Sequence, residues 1–145
     1  MRKNNQKPNQ GSKKNPTLYR TLQGHNTTIK SIDFNCETTQ MISCGEDSLL
    51  YLWNLKKKNI RAKKLKGHAA AITEVAFSPS AALIATASMD NTVRIWSNRS
   101  LDNYPSNVIR SHNACVRSVA FSPDSRFVVT GSNDKTVKIF NVSNF

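Results

Sequence analysis

Apolar and polar residues alternate in short runs from Leu18 to near the C terminus, as in "IKSIDF", "ITEVAF" and "VRSVAF". A period of two is typical of β-strands with one buried face, whereas an amphipathic helix repeats at 3.6 residues. Turn residues follow these runs, and in "SPSA" and "SPDS" a proline holds the second position of a type I turn. The pattern therefore predicts an all-β chain. The runs fall into three successive units, each with three strands that we call a, b and c. These strands are predicted at 29–34, 41–45 and 49–54 in the first unit, at 72–77, 83–88 and 93–97 in the second, and at 116–121, 127–131 and 137–142 in the third. A fourth strand, d, is predicted near 18–22, 61–66 and 106–110.

Polar residues return at the same spacing as the strands. His25, His68 and His112 lie 43 and 44 residues apart, and each precedes an aspartate by 22 residues. Six residues after each aspartate stands an aromatic residue, namely Trp53, Trp96 or Phe140. Return of the same residue types at a fixed interval indicates that the polar set belongs to a structural repeat. The sequence predicts three repeats at approximately 18–60, 61–105 and 106–145, after a basic tail over 1–17 that has too few apolar residues to order.

The repeated unit resembles the WD-repeat family. The signatures are "GH" at 24–25 with "WN" at 53–54, "GH" at 67–68 with "WS" at 96–97, and "SH" at 111–112 with "FN" at 140–141. The resemblance implies β-propeller blades, each a four-stranded antiparallel sheet. Because propellers close with 4–8 blades, three repeats imply an incomplete propeller, to be completed by a longer chain, by copies or by a partner. Family members also close the ring with an N-terminal strand, for which residues 18–22 are available.

The resemblance also implies a hydrogen-bonded chain within each blade, running from the histidine through a strand-b hydroxyl to the aspartate and the tryptophan. The matching residues are His25, Ser43, Asp47 and Trp53 in the first unit, His68, Thr86, Asp90 and Trp96 in the second, and His112, Thr130 and Asp134 in the third. The third unit has Phe140 where the others have tryptophan, and Ser111 where they have glycine. Phenylalanine has no N–H, so we expect this chain to be incomplete and its blade to be the least rigid.

Catalysis and metal binding are the alternatives for these side chains. Serine, histidine and aspartate are the residue types of a catalytic triad, but a nucleophile needs an exposed hydroxyl, and these hydroxyls lie inside strands and recur in every unit. No histidine and cysteine have the spacing of metal ligands. The three cysteines lie in or beside apolar segments and are expected to be buried, reduced thiols. We therefore expect no enzyme activity and no cofactor.

Positive charge is concentrated in two places. The net charge is +12, and residues 1–20 hold six basic residues and no acidic one. Residues 56–66, "KKKNIRAKKLK", hereafter the basic segment, add seven more without an acidic residue. Candidate partner-binding residues are therefore Lys56, Lys57, Lys58, Arg61, Lys63, Lys64 and Lys66. The resemblance adds the residue before each turn aspartate, which is Glu46, Met89 or Asn133.

Finer resemblance favours the centriolar WD-repeat family of basal bodies, through "DFNCETTQ", "DSLLYLW" and "HNACVRSV". It implies a structural component of the centriole, basal body or axoneme, whose basic segments bind the acidic surface of tubulin or microtubules. The alternative is a nuclear or RNA-associated WD-repeat adaptor, acting in ribosome biogenesis, splicing or ubiquitin ligation. In that case the lysines neutralise phosphates, although the basic segment has no aromatic residue to stack on bases. No apolar run reaches the ~20 residues of a membrane span, so neither alternative involves a membrane.

Overall fold

In a computed structural model that describes residues 15–99 and 106–145, the chain forms three antiparallel sheets and no helix over those residues. The first sheet contains β1 (Ile29–Phe34), β2 (Gln40–Gly45), β3 (Leu50–Asn54) and β4 (Ala62–Leu65). The second contains β5 (Ile72–Phe77), β6 (Leu83–Ser88), β7 (Val93–Ser97) and β8 (Ser106–Ile109). The third contains β9 (Val116–Phe121), β10 (Phe127–Ser132) and β11 (Val137–Asn141). We call these sheets blades 1, 2 and 3.

The all-β prediction is confirmed, and strands a, b and c fall within one residue of their predicted bounds. Two differences concern strand d. The strands at 62–65 and 106–109 pair with the strand c before them, so each completes the blade of the preceding repeat. The strand expected near 18–22 is absent, and blade 3, which has no strand d of its own in the sequence, has three strands among the described residues. Among the described residues, no strand c precedes 18–22 with which this segment could pair.

The core lies between the blades. One hydrophobic cluster joins blades 1 and 2. Blade 1 contributes Ile42, Cys44, Leu50, Leu52 and Leu65. Blade 2 contributes Ile72, Val75 and Phe77 from strand a, together with Ile84 and Trp96. The other face of blade 2 packs in the same way against Val116 and Val119 of blade 3. β6 is buried on both faces: all six of its residues are buried, four of them apolar, together with Thr86 and Ser88.

In the tight turns between strands, residues other than glycine adopt positive φ angles. The turns between strands a and b place Thr38, Ala81 and Ser125 at φ of 54°, 57° and 61°. In the two turns predicted from proline, the N–H of Ala81 or Ser125 donates to the carbonyl of the serine three residues earlier. The turns between strands b and c put Ser48, Asn91 and Lys135 at φ of 59°, 68° and 67°. Turn direction is thus set by the flanking strands and by side-chain hydrogen bonds.

The cysteines differ from the sequence expectation. Cys44 is buried, and burial raises the pKa of its thiol to about 12. Cys115 is half-buried, but Cys36 is exposed, because it lies in the turn between β1 and β2 and not in a strand. Most of the predicted basic tail, over 1–14, lies outside the described residues, as does the segment 100–105. Across the described ranges the chain has no helix that could span a membrane.

Candidate functional site

The polar residues of blade 2 form a continuous series of hydrogen bonds. The indole N–H of Trp96 donates to Thr86 Oγ1 at 3.0 Å, and Thr86 Oγ1 lies 2.7 Å from Nε2 of His68. His68 Nδ1 lies 2.8 Å from Oδ2 of Asp90. With Nδ1–H donating to the carboxylate, Nε2 accepts the hydroxyl hydrogen of Thr86, so each group donates to the next. The series joins β6 and β7 to the segment before β5.

Burial and hydrogen bonding together set the protonation of this series. Burial lowers the pKa of His68, against the hydrogen bond and charge of Asp90, which favours the neutral imidazole that Nε2 needs in order to accept. Burial raises the pKa of Asp90, but hydrogen bonds outweigh it and bring that pKa down to about 2. The donors are the Thr92 hydroxyl, the Ala69 N–H and His68. A neutral imidazole therefore lies beside an ionised carboxylate.

Blades 1 and 3 repeat the arrangement. In blade 1, His25 lies 2.9 Å from Asp47 and 2.8 Å from the Ser43 hydroxyl, to which the Trp53 indole donates at 2.9 Å. In blade 3, the corresponding distances from His112 are 2.7 Å to Asp134 and 2.8 Å to Thr130. The series in blade 3 ends at Thr130 because Phe140 occupies the tryptophan position and has no N–H.

The substitution of Ser111 for glycine is explained by the same phenylalanine. A Cβ on Gly24 would lie 2.8 Å from Cη2 of Trp53, and a Cβ on Gly67 would lie 2.9 Å from Cη2 of Trp96. The tryptophan ring therefore requires glycine before the histidine. The shorter ring of Phe140 leaves room for a side chain at position 111, so the two departures of the third repeat are one coupled change.

Four further residues, which the sequence analysis did not identify, take part in this network. Thr92 and Thr136 each donate a hydroxyl hydrogen bond of 2.6 Å to the turn aspartate. Ser88 and Ser132 donate to carbonyls of the segment before strand a, and accept from the N–H of Asp90 or Asp134 at 3.1 Å. The two residues of each pair are 44 residues apart in the sequence, and this spacing is the signal that could have identified them. Blade 1 has Gly45 and Leu49 at these positions, so it lacks both hydroxyls.

The first series contains the residue types of a Ser-His-Asp triad at hydrogen-bond distances. However, Ser43 is 2% exposed, and its oxygen already accepts the Trp53 indole N–H. A nucleophile must reach a substrate carbonyl, and this hydroxyl faces the interior of the blade. The equivalent hydroxyls of Thr86 and Thr130 are 0% and 1% exposed. The geometry is suited to holding strands together.

The basic segment lies along the outer edge of blade 1. Residues 56–61 form the connection between β3 and β4, and 62–65 form the edge strand β4. Lys64 lies over the Tyr51 ring, with Nζ 5.3 Å from the ring centroid. Arg20 lines one cavity together with Lys58 and Arg61, so it adds to the same positive edge. Of the basic segment's charged residues, only Lys63 is half-buried; the exposed ones are Lys56, Lys57, Lys58, Arg61, Lys64 and Lys66.

The other candidate binding residues lie at the opposite end of the strands. Glu46, Met89 and Asn133 each donate a backbone N–H to a carbonyl just before strand a, so they occupy equivalent places on one face. Glu46 pairs with Lys30 at 2.7 Å, Asn133 accepts from Arg117 at 3.1 Å, and Met89 is 43% exposed. β3 starts at the turn that contains Glu46 and ends at the connection that carries Lys56, Lys57 and Lys58. The fold therefore separates the two candidate sets.

The three antiparallel sheets, two of four strands and one of three, pack face to face, and each is braced by a histidine, a hydroxyl and an aspartate. This is the arrangement of propeller blades. A comparison with family models finds three copies of the WD domain, G-beta repeat, at residues 16–54, 60–97 and 103–141. The chain belongs to the WD-repeat family.

The proteins to which this chain is similar have different names. Nuclear distribution protein nudF of Aspergillus flavus is 33% identical over 81 residues, which is 54% of this chain and 18% of that protein. Eukaryotic translation initiation factor 3 subunit I of Coccidioides immitis is 35% identical over 79 residues, covering 54% of this chain and 23% of the relative. THO complex subunit 3 of Arabidopsis thaliana is 34% identical over 85 residues, covering 56% and 27%. The chain thus spans about a quarter or less of these relatives. None of the three is named as a centriolar protein, so the resemblance to that family is not supported.

Proposed function

We propose that this chain is a non-catalytic protein-interaction scaffold that binds an acidic surface of a larger assembly through its basic segment. The observation that carries the proposal is the division of polar groups between two places. The histidine, hydroxyl and aspartate of each blade are turned inward and bonded to one another, whereas six basic side chains are exposed along one edge. The inward groups brace the blades, and the outward groups are available to a partner.

The charge of that edge selects the chemistry of the partner. Lysine and arginine side chains with no acidic residue among them attract an anionic surface and speed its association. The attraction is screened at higher ionic strength, because the Debye length falls from ≈ 10 Å at 0.1 M salt to about 3 Å at 1 M. Binding through this edge is therefore expected to weaken steeply with salt.

Two acidic partners are candidates. Tubulin or a microtubule, in the centriole, basal body or axoneme, is the partner implied by the finer resemblance. The alternative is a nuclear or RNA-associated complex. The relatives favour the alternative, because two of them are named as subunits, one of the THO complex and one of a translation initiation factor. Both candidates share the coarser function of a scaffold within an assembly.

The test is binding of the purified chain to microtubules and, in parallel, to a single-stranded RNA, each over a salt series. One variant replaces Lys56, Lys57, Lys58 and Lys64 by glutamine, leaving the half-buried Lys63 in place. The matched control removes the same charge elsewhere, by replacing the exposed residues Arg99, Arg110, Arg126 and Lys135 by glutamine. Co-sedimentation and filter binding give the two affinities, and thermal unfolding checks that both variants fold.

Loss of binding in the first variant and retention in the control supports the basic segment as the binding surface. Microtubule binding selects the cytoskeletal candidate, whereas binding to RNA alone selects the other. Equal weakening in both variants shows that total charge, and not the edge of blade 1, is responsible. An affinity that the first variant leaves unchanged rejects the role of the basic segment.

A further inference from the structure

A cationic cavity lies at the edge of blade 1, between the segment that precedes β1 and the connection from β3 to β4. Its volume is about 370 Å³, within the range of ≈ 300–1,000 Å³ that is typical of ligand pockets. Three basic side chains line it, namely Arg20, Lys58 and Arg61. Thr21 and Asn59 add a hydroxyl and an amide, which are further hydrogen-bond donors. The cavity therefore has the residue types of an anion-binding site.

These three charges have no acidic partner beside them. Among the described residues that line the cavity, none is acidic, and the described part of the chain contains no salt bridge to Arg20, Lys58 or Arg61. The sequence before Arg20 has no acidic residue either. Like charges held close together repel one another, and this repulsion opposes the compact state. An anion bound in the cavity removes that cost.

The connection that carries Lys58 and Arg61 is fixed at both ends. At its start, the Lys56 N–H donates to Asn54 Oδ1 at 3.1 Å. At its end, β4 begins directly after Arg61, and its first residue lies opposite Trp53 of β3. Among the described residues, neither β1 nor β2 contributes to the lining. The cavity therefore depends on this connection and on the segment of Arg20, and not on what packs against those two strands.

The number and type of the charges favour a phosphate monoester over a carboxylate. A carboxylate brings one negative charge, whereas a phosphoserine or phosphothreonine brings about −1.5 to −2 at pH 7, together with three strong acceptor oxygens. The planar guanidinium groups of Arg20 and Arg61 can each make two parallel hydrogen bonds to a phosphate, and Lys58 adds a point charge. The half-buried apolar residues Leu22 and Ile60 complete the lining and suit the aliphatic part of a phosphorylated side chain.

The lining also favours a phosphorylated protein over a nucleic acid. Proteins that bind single-stranded RNA combine a basic groove with aromatic side chains on which the bases stack. No aromatic side chain lines this cavity among the described residues. A backbone phosphate of RNA is a diester with a single negative charge, so one such group leaves part of the positive charge of the cavity unmatched.

We propose that this cavity binds a phosphoserine or phosphothreonine of a partner protein. Arg20 and Arg61 bind the phosphate oxygens, Lys58 supplies the third positive charge, and the Thr21 hydroxyl and Asn59 amide donate to the remaining acceptor positions. The inference rests on the proposed function, because it specifies the acidic group that the basic segment recognises in its partner. Phosphorylation of the partner then controls binding at this edge.

Peptide binding is the first test. Three fluorescent peptides of one glycine- and alanine-rich sequence carry a central phosphothreonine, a threonine or a pair of aspartates, so the first and third have similar charge. Anisotropy with the purified chain at one ionic strength gives the affinities. The phosphopeptide is expected to bind roughly tenfold or more tightly than either of the others, because only phosphate brings two charges and three acceptor oxygens to one cavity. A phosphopeptide that binds no better than the two-aspartate peptide overturns the proposal.

Variants test the location of the site. Arg20→Gln combined with Arg61→Gln removes both guanidinium groups and is expected to lower the phosphopeptide affinity by roughly tenfold or more. The matched control, Arg110→Gln combined with Lys135→Gln, removes two exposed charges outside the cavity and is expected to bind as the wild type does. Circular dichroism checks that both variants fold. Equal loss of affinity in the two variants shows that net charge is responsible and overturns the site.

Competition with a single-stranded RNA tests the nucleic-acid alternative. The RNA is expected to displace the phosphopeptide only weakly, because the cavity offers no ring on which a base could stack. An RNA that binds more tightly than the phosphopeptide, and that loses this affinity when Arg20 and Arg61 are replaced by glutamine, assigns the cavity to a phosphodiester and overturns the proposal.

Failure of this inference is distinguishable from failure of the proposed function. If microtubules or RNA bind through the lysines of the basic segment while the phosphopeptide does not bind, the proposed function stands and the phosphate site is overturned. If the phosphopeptide binds as expected and neither microtubules nor RNA bind, the phosphate site stands and the two named assemblies are rejected.

Discussion

At the residue scale, each polar position that repeats from blade to blade is explained by the partners it needs when buried. The histidine has one nitrogen on a carboxylate and the other on a hydroxyl, and the tryptophan N–H completes the series in blades 1 and 2. A buried polar group that loses its partner costs about 1–3 kcal/mol. These residues therefore act as internal braces, and their removal is measurable as a loss of stability.

Asp90→Ala is expected to lower the free energy of unfolding by about 1–3 kcal/mol, because it leaves His68, Thr92 and the Ala69 N–H without their acceptor. Chemical denaturation of the variant and the wild type measures the difference. Glu37→Ala, at an exposed turn position, serves as the control and is expected to change stability little. A midpoint for Asp90→Ala equal to that of the control contradicts the brace.

Phe140→Trp and Ser111→Gly are expected to be coupled. The tryptophan alone meets the Cβ of residue 111, and glycine alone leaves a gap, whereas the double variant restores the pairing seen between Gly67 and Trp96. The restored indole N–H can also donate to Thr130. The double variant is therefore expected to be more stable than the sum of the single changes by about 0.5–3 kcal/mol in a double-mutant cycle. Additive effects would show that the two positions do not interact.

At the element scale, the three blades share one set of strands but differ in the turn between strands b and c. Blades 2 and 3 carry a threonine on the turn aspartate and a serine that ties the turn to the segment before strand a. Blade 1 has leucine and glycine there, and its Asp47 receives only the Leu49 N–H, at 3.3 Å, on Oδ1 among the bonds described. Blade 3 lacks only the indole donor. The expectation that blade 3 is the least rigid stays a prediction, with blade 1 as the competing choice.

Leu49→Thr is expected to stabilise blade 1 by supplying the hydroxyl that Thr92 and Thr136 provide in the other blades. A new hydrogen bond to the Asp47 carboxylate contributes roughly 0.5–1.5 kcal/mol. Thermal unfolding of the variant gives the change, with Leu49→Val as a control that has the same shape without the hydroxyl. If the valine variant is as stable as the threonine variant, the hydroxyl has no role.

At the scale of the whole molecule, blades 2 and 3 contain acid-sensitive groups. The folded-state pKa of His68 is lowered by burial from 6.5, so its contribution to stability is full above pH 6.5 and is lost as the pH falls below that value. Asp90 has its pKa lowered to about 2 from 3.8, and hydrogen bonding, first from the Thr136 hydroxyl, also lowers the pKa of Asp134 well below 3.8. Their contribution is full above pH 3.8 and is lost on further acidification.

Acidification is therefore expected to lower the melting temperature in two stages, one starting near pH 6.5 and a steeper one below pH 3.8. Thermal scans between pH 8 and pH 3 in buffers of equal ionic strength measure this profile. In Asp90→Asn the lower stage is expected to shrink, with the part due to Asp134 remaining. A melting temperature that does not change over this range is the contrary result.

The sequence by itself determined the local structure of this protein. Alternation with a period of two specifies strands, and proline or aspartate at fixed offsets specifies turns, because these depend on neighbouring residues. The repeat of His68, Asp90 and Trp96 at 43 to 44 residues identified the blade and its family. The strand expected at 18–22 is not formed. Its apolar pattern is suitable, but a strand also needs a neighbouring edge to pair with, and no described strand lies beside this segment.

Only the tertiary structure decided which distant residues meet. The clash that links Gly67 to Trp96, and its relief by Phe140 beside Ser111, depends on ring contacts between strands far apart in the sequence. The separation of the basic segment from Glu46, Met89 and Asn133 depends on the direction of β3. The exposure of Val137 and Ile139 arises because no described residue packs on the outer face of blade 3. These properties come from packing between blades. The alternation of apolar and polar residues within one blade does not indicate what packs against its outer face.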